Sequence, residues 1–150
     1  MLLKTHLVIA LMAILLLFES VTYKFVFVVI TLVATVLPDI DSGFSTLGKH
    51  ALFKPVQFLT KHRGVIHSLT FCFLVSLVLA LYFPIFSLPF FLGYGIHLFA
   101  DAFSVEGIRP FWPLSFEAKG SLRVGGAIEE VLFVGFCIVD VVLFIGLFIA

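Results

Sequence analysis

VLFVGFCIVDVVLFIGLFIA, residues 131–150, carries one charged residue, Asp140. A helix of about 20 apolar residues rises about 30 Å, the thickness of a bilayer's hydrocarbon core. A second run of this kind covers 65–83, and three shorter or interrupted ones cover 7–18, 21–37 and 85–103. The first extends toward Met1 if Lys4 snorkels, and Pro89 interrupts the one at 85–103. Segment 7–18 also has the outline of a signal peptide, but Phe18-Glu19-Ser20 makes a poor cleavage site.

The whole chain agrees with these segments. Of its 150 residues, 62% are hydrophobic and 12% charged, and the mean hydropathy is +1.26. A soluble domain carries about 25% charged residues, so the bilayer is the expected solvent. The expected fold is an all-α, polytopic membrane bundle of about five transmembrane helices, forming a single domain over 1–150. Phe44, Leu47, Phe53 and Phe58 alternate with Lys and His, which predicts a surface amphipathic helix in the 38–64 loop. The net charge of zero leaves no nucleic-acid footprint. Cys72 and Cys137 lie in apolar runs and suggest neither a disulfide nor a CxxC site. Oligomeric state is not legible.

Lys and Arg predict orientation in a membrane. With five spans, Lys4, Lys49, Lys54, Lys61, Arg63, Arg109, Lys119 and Arg123 share one side, against Lys24 on the other. That side is expected to be cytoplasmic, with the C-terminus outside.

Ionisable residues at membrane depth are costly and ask for partners or a function. Here they gather on the expected cytoplasmic side. Asp39 and Asp41 follow Pro38, and His62, Arg63 and His67 straddle the start of 65–83. His97 and Asp101 close 85–103, His6 opens the chain, and Glu129 and Glu130 precede the last span. His97 and Asp101 are four apart, which puts their Cβ atoms about 5–6 Å from each other on one helix face. His62 and His67 are five apart, about 140° around an ideal helix, so Gly64 is expected to break the chain between loop and helix. His50 belongs with the surface loop. Asp140 stands alone, either protonated or paired across a subunit interface.

Imidazoles and carboxylates without thiolates suit zinc, manganese or iron, and are too nitrogen-rich for calcium. The number of candidates suggests one or two ions, and a two-metal site suits hydrolysis. Catalytic roles are expected for Arg63, as a fixed cation facing a developing anion, and for Asp41. A transporter using the same residues as a path, and a non-enzymatic protein with a structural metal site, are the competing functions.

Leu37-Pro38-Asp39-Ile40-Asp41, His62-Arg63-Gly64-Val65-Ile66-His67-Ser68 and Gly93-Tyr94-Gly95-Ile96-His97-Leu98-Phe99-Ala100-Asp101 resemble the membrane-bound metal-dependent hydrolases of the YdjM type. Gly107 and Phe111-Trp112-Pro113-Leu114-Ser115 add to the likeness, which runs from His6 to about Glu129. The resemblance implies Asp39, Asp41, His62, His67, His97 and Asp101 as metal ligands, with His6 matching a less strict position. Glu129 would join them through a GSxxE-like pattern, although Gly126 stands where Ser is usual. It also implies a distant likeness to zinc-dependent phospholipases C and single-strand nucleases. The expected activity is hydrolysis of a phosphoester, lipidic substrates included, with membrane lipid as the surrounding partner.

Overall fold

A computed structural model describes residues 1–41 and 64–149, without the side chain of Asp41. Five α-helices run through these residues: α1 Leu3–Leu17, α2 Lys24–Val36, α3 Leu69–Tyr82, α4 Pro84–Ala102 and α5 Ala127–Phe148. Short 3-10 turns follow α1 at Phe18–Ser20 and α2 at Leu37–Asp41. The described residues contain no strand, only isolated bridges in the 103–126 connection, Ser104 with Leu122 and Ile108 with Ala118.

Leu3–Ser20, Pro84–Ala102 and Ala127–Phe148 are long and apolar enough to cross a membrane. α2 and α3 have 13 and 14 residues, short of the roughly 17 residues at which spanning helices begin. The structure thus bears out an all-helical membrane protein, with three full-length crossing helices among the described residues where five were expected. The break expected at Pro89 does not occur. Pro84 opens α4 at its first turn, and Pro89 lies inside the helix, buried. The hydrogen bond that Pro89 forgoes falls in the second turn, near the N-terminal end. The amphipathic helix expected in the 38–64 loop falls, beyond the 3-10 turn, outside the described residues, as does His50.

Apolar side chains cover the outside. Phe25, Leu81, Val131 and Phe99 are each more than 60% exposed, which is the behaviour of a surface solvated by acyl chains. α5 is the extreme case, with only Glu129 and Asp140 fully buried along its length.

Contacts at the helix ends define the directions. Leu2 meets Glu129 while Phe18 meets Phe148, so α1 and α5 run parallel. Cys72 approaches the Phe91 carbonyl, and Ser87 donates to that of Ser76, which makes α3 and α4 an antiparallel hairpin. Thr31 meets Gly93 and Thr35 meets His97, so α2 runs parallel to α4. The starts of α1, α3 and α5 therefore share one end of the bundle with the ends of α2 and α4.

α2 and α4 approach closely in the bundle's middle. A Cβ added to Gly93 would lie 2.1 Å from the Thr31 carbonyl oxygen, so only glycine lets the two backbones approach this far. Around it lie Ala34, Cys72, Phe90, Tyr94, Leu98 and Ile108, the buried apolar cluster. The 103–126 connection closes the same end of the bundle. Glu117 there accepts from Lys119 and Arg109 at 2.7 Å, and these two cations hold its carboxyl down at about 2.

Candidate metal centre

α4 contributes the centre of the site. His97 and Asp101 both point inward, 0% and 3% exposed, and the i, i+4 spacing brings Nε2 within 3.6 Å of Oδ2. Across from α4, the Thr35 carbonyl lies 2.7 Å from His97 Nδ1. A carbonyl only accepts, so Nδ1 carries the proton and donates it there. Nε2 is then left with a lone pair. It is buried without a hydrogen-bond partner among the described residues and is flanked by Asp101 and, at 3.9 Å, by an oxygen of Asp39.

α1 brings His6. Its ring stacks on that of His97, centroids 4.0 Å apart and planes 11° from parallel. His6 is fully buried, and neither ring nitrogen has a hydrogen-bond partner among the described residues. Nε2 lies 3.3 Å from Asp101 Oδ1. The same carboxylate oxygen accepts from the Met1 ammonium.

His67 enters from the loop side of α3. Ser68 caps that helix, accepting from the Phe71 N–H at 3.1 Å and donating to the Val65 carbonyl at 2.6 Å. The Tyr94 hydroxyl donates to the Ile66 carbonyl at 2.6 Å, tying the same turn to α4. Held from both sides, His67 places Nε2 3.9 Å from Asp101 Oδ2 and its ring edge-on to His97. Asp39 comes from the 3-10 turn after α2, with its side chain 19% exposed, and forms the more open edge.

Two overlapping groups result. His6, His97 and Asp101 form one, and Asp39, His67 and His97 the other, each with ligand atoms within 4.8 Å of one another. Buried imidazole lone pairs facing carboxylate oxygens repel unless a cation sits between them. This nitrogen-and-oxygen donor set fits a divalent transition ion.

Of the residues expected at the site, the structure brings His6, Asp39, His67, His97 and Asp101 together. His62, Arg63 and the side chain of Asp41 lie outside the described residues. Glu129 stands apart from both groups. Its oxygens accept from the N–H groups of Leu2 and Gly125, each at 2.6 Å. Asp140 is buried in α5 away from the cluster, with neither oxygen partnered among the described residues. Thr35 and Gly93 were not expected to matter. Thr31 and Thr35, four apart in an otherwise apolar helix, were the visible sign of a polar helix contact.

Neither a curated protein nor a solved structure matches the chain. The family model described as YdjM inner membrane protein matches residues 1–148, nearly the full length, and the chain belongs to that family.

Proposed function

We propose that this protein is a membrane-embedded, metal-dependent hydrolase that acts on a phosphoester, its site opening at the cytoplasmic headgroup level. The observation that carries this reading is the His97 tautomer. With Nδ1 donating to Thr35, the lone pair of the buried Nε2 faces two carboxylates. A divalent ion held by His6, Asp39, His67, His97 and Asp101 would supply Lewis-acid activation to a phosphoryl group and to water. Zinc suits these ligands best, with manganese or iron as alternatives, and the two overlapping groups accommodate one or two ions.

The residues of this chain divide the remaining work. Thr35 orients His97, and the Ser68 cap with Tyr94 orients His67. Arg63, next to the ligand candidate His62 in sequence, is proposed as the cation that meets the substrate's anionic oxygens. Asp41, two residues from Asp39, is proposed to act beside it.

Five crossings fit the alternating helix directions. α2 with its 3-10 extension reaches about 30 Å, taking about 1.5 Å per α residue and about 2.0 Å per 3-10 residue. The eight-to-one distribution of Lys and Arg supports a cytoplasmic position for the end of the bundle that holds the site.

An apolar groove of about 480 Å³ lies at that end, on the face of α4 turned away from His97, and offers an amphiphilic substrate a place for its acyl chain. Phe91, Gly95 and Phe99 of α4 form its floor, and Ile108 and Phe111 its edge. Nearby, Trp112, Leu114 and Phe116 are exposed on the 103–126 connection, as residues of a membrane interface are. A structural metal site is the second reading, favoured by the near-complete burial of His6, His67 and His97.

Protein purified in detergent without chelator should carry about one or two transition-metal ions per chain. It should also turn over at least one member of a panel of phosphodiesters and phosphomonoesters, lipidic ones included. His67→Ala with His97→Ala should strip most of the metal. Full retention in that double variant overturns the metal centre, and bound metal without any turnover favours the structural site.

A further inference from the structure

Glu129 is 1% exposed, in the first turn of α5. A buried carboxylate needs strong donors, and it has two from separate parts of the chain. Oε2 accepts from Gly125 N–H at 2.6 Å, a reach back over its own helix start like that of a capping box. Gly125 adopts φ +71°, which glycine tolerates without strain. Oε1 accepts from Leu2 N–H, also at 2.6 Å.

Leu2 is the N-cap residue of α1 and has no side-chain cap of its own. Its carbonyl in turn accepts from Thr5 N–H at 3.0 Å and His6 N–H at 3.3 Å. A two-bond path thus runs from the Glu129 carboxylate through Leu2 to the backbone of His6. Beside this path, the start of α1 is tied at the same depth by the Met1 ammonium, which donates to Asp101. α1 meets α5 by the exposed Lys4–Glu130 pair at 2.5 Å, a contact of small net value in water-accessible surroundings.

We infer that Glu129 is a positioning residue of the metal centre: it caps α1 in trans and so sets the height at which His6 stacks on His97. This rests on the metal reading above and assigns Glu129 a role other than ligand. Residues that orient a metal ligand typically change affinity by about 10–100-fold when replaced.

The test is a double-mutant cycle on metal affinity, measured by competition with a chromophoric chelator in detergent, with amide hydrogen exchange as a second readout. Glu129→Gln, which keeps one acceptor and turns a donor toward the other N–H, should weaken the tightest metal site about tenfold. It should also speed exchange at Leu2–His6. In a His6→Ala background the same substitution should change affinity less than twofold, because its effect passes through His6. Glu129→Asp, a shorter arm with both acceptors, should fall between Gln and wild type, and its cycle with His6 decides the matter should the Gln variant not fold. Additive losses would mean that Glu129 acts on the metal independently of His6, which overturns the inference. So would unchanged exchange at Leu2–His6. A wild type that binds no metal overturns the metal reading itself, and the exchange arm then decides separately whether Glu129 anchors α1.

Discussion

His97 donates from Nδ1 to the carbonyl of Thr35 across 2.7 Å, one helical turn beyond the point where Gly93 lies against Thr31. The two contacts belong together. The close approach at Gly93 brings α2 near enough for a backbone carbonyl to select the tautomer of the buried His97 on α4.

Gly93→Ala should therefore damage both stability and the site. The added methyl would press on the Thr31 carbonyl at 2.1 Å and on Thr35 Oγ1 at 3.0 Å. Overpacking of this kind costs about 1–3 kcal/mol. A lower thermal midpoint in detergent, together with weaker metal binding, is the expected outcome. An unchanged midpoint with full metal affinity would show that the α2–α4 approach does not set the site.

Arg63 separates catalysis from structure. Its guanidinium is always protonated and binds no metal. Arg63→Ala should keep the metal content and lower turnover about 10²–10³-fold, by analogy with losing one oxyanion donor. Arg63→Lys should recover only part of the rate, since the planar two-point contact is gone. Loss of metal with normal activity per folded molecule would make Arg63 structural.

The groove beside α4 makes a prediction about substrate length. Gly95 faces open space, with nothing within 4 Å of an added Cβ. Gly95→Phe should fill the groove without disturbing the fold or the metal. Turnover of a long-chain lipid phosphoester should fall at least tenfold, while a short-chain or water-soluble analogue is unaffected. Equal loss on both would detach the groove from substrate binding.

Topology can be read with reporters. A fusion after Ala150 should report an extracytoplasmic position, and one within residues 45–55 a cytoplasmic one, as the Lys and Arg asymmetry requires. Both on the same side would rule out five crossings.

What the sequence determined by itself is the solvent and the local pairing of polar residues along a helix. Nineteen apolar residues around one acid at 131–150 demand a bilayer, whatever they pack against, because transfer of apolar surface depends on composition and length. The pairing of His97 with Asp101 was legible for a similar reason: the helix's own geometry places residues i and i+4 together. One feature was misjudged, and it depends on context. Pro89 was expected to interrupt a span, yet one lost hydrogen bond near a helix start is tolerated inside a packed bundle. Segments 21–37 and 65–83 were drawn from apolarity, whereas the described α-helices stop at 13 and 14 residues, where the backbone turns to 3-10 geometry or meets the Ser68 cap. Only the tertiary structure decided which distant atoms meet. Leu2 and Glu129 are 127 residues apart, and Thr35 and His97 are 62 apart. No periodicity relates such positions. Their contact follows from how closely the helices pack, set here by a missing Cβ at Gly93, and from the need of each buried polar atom to find a partner where water is absent.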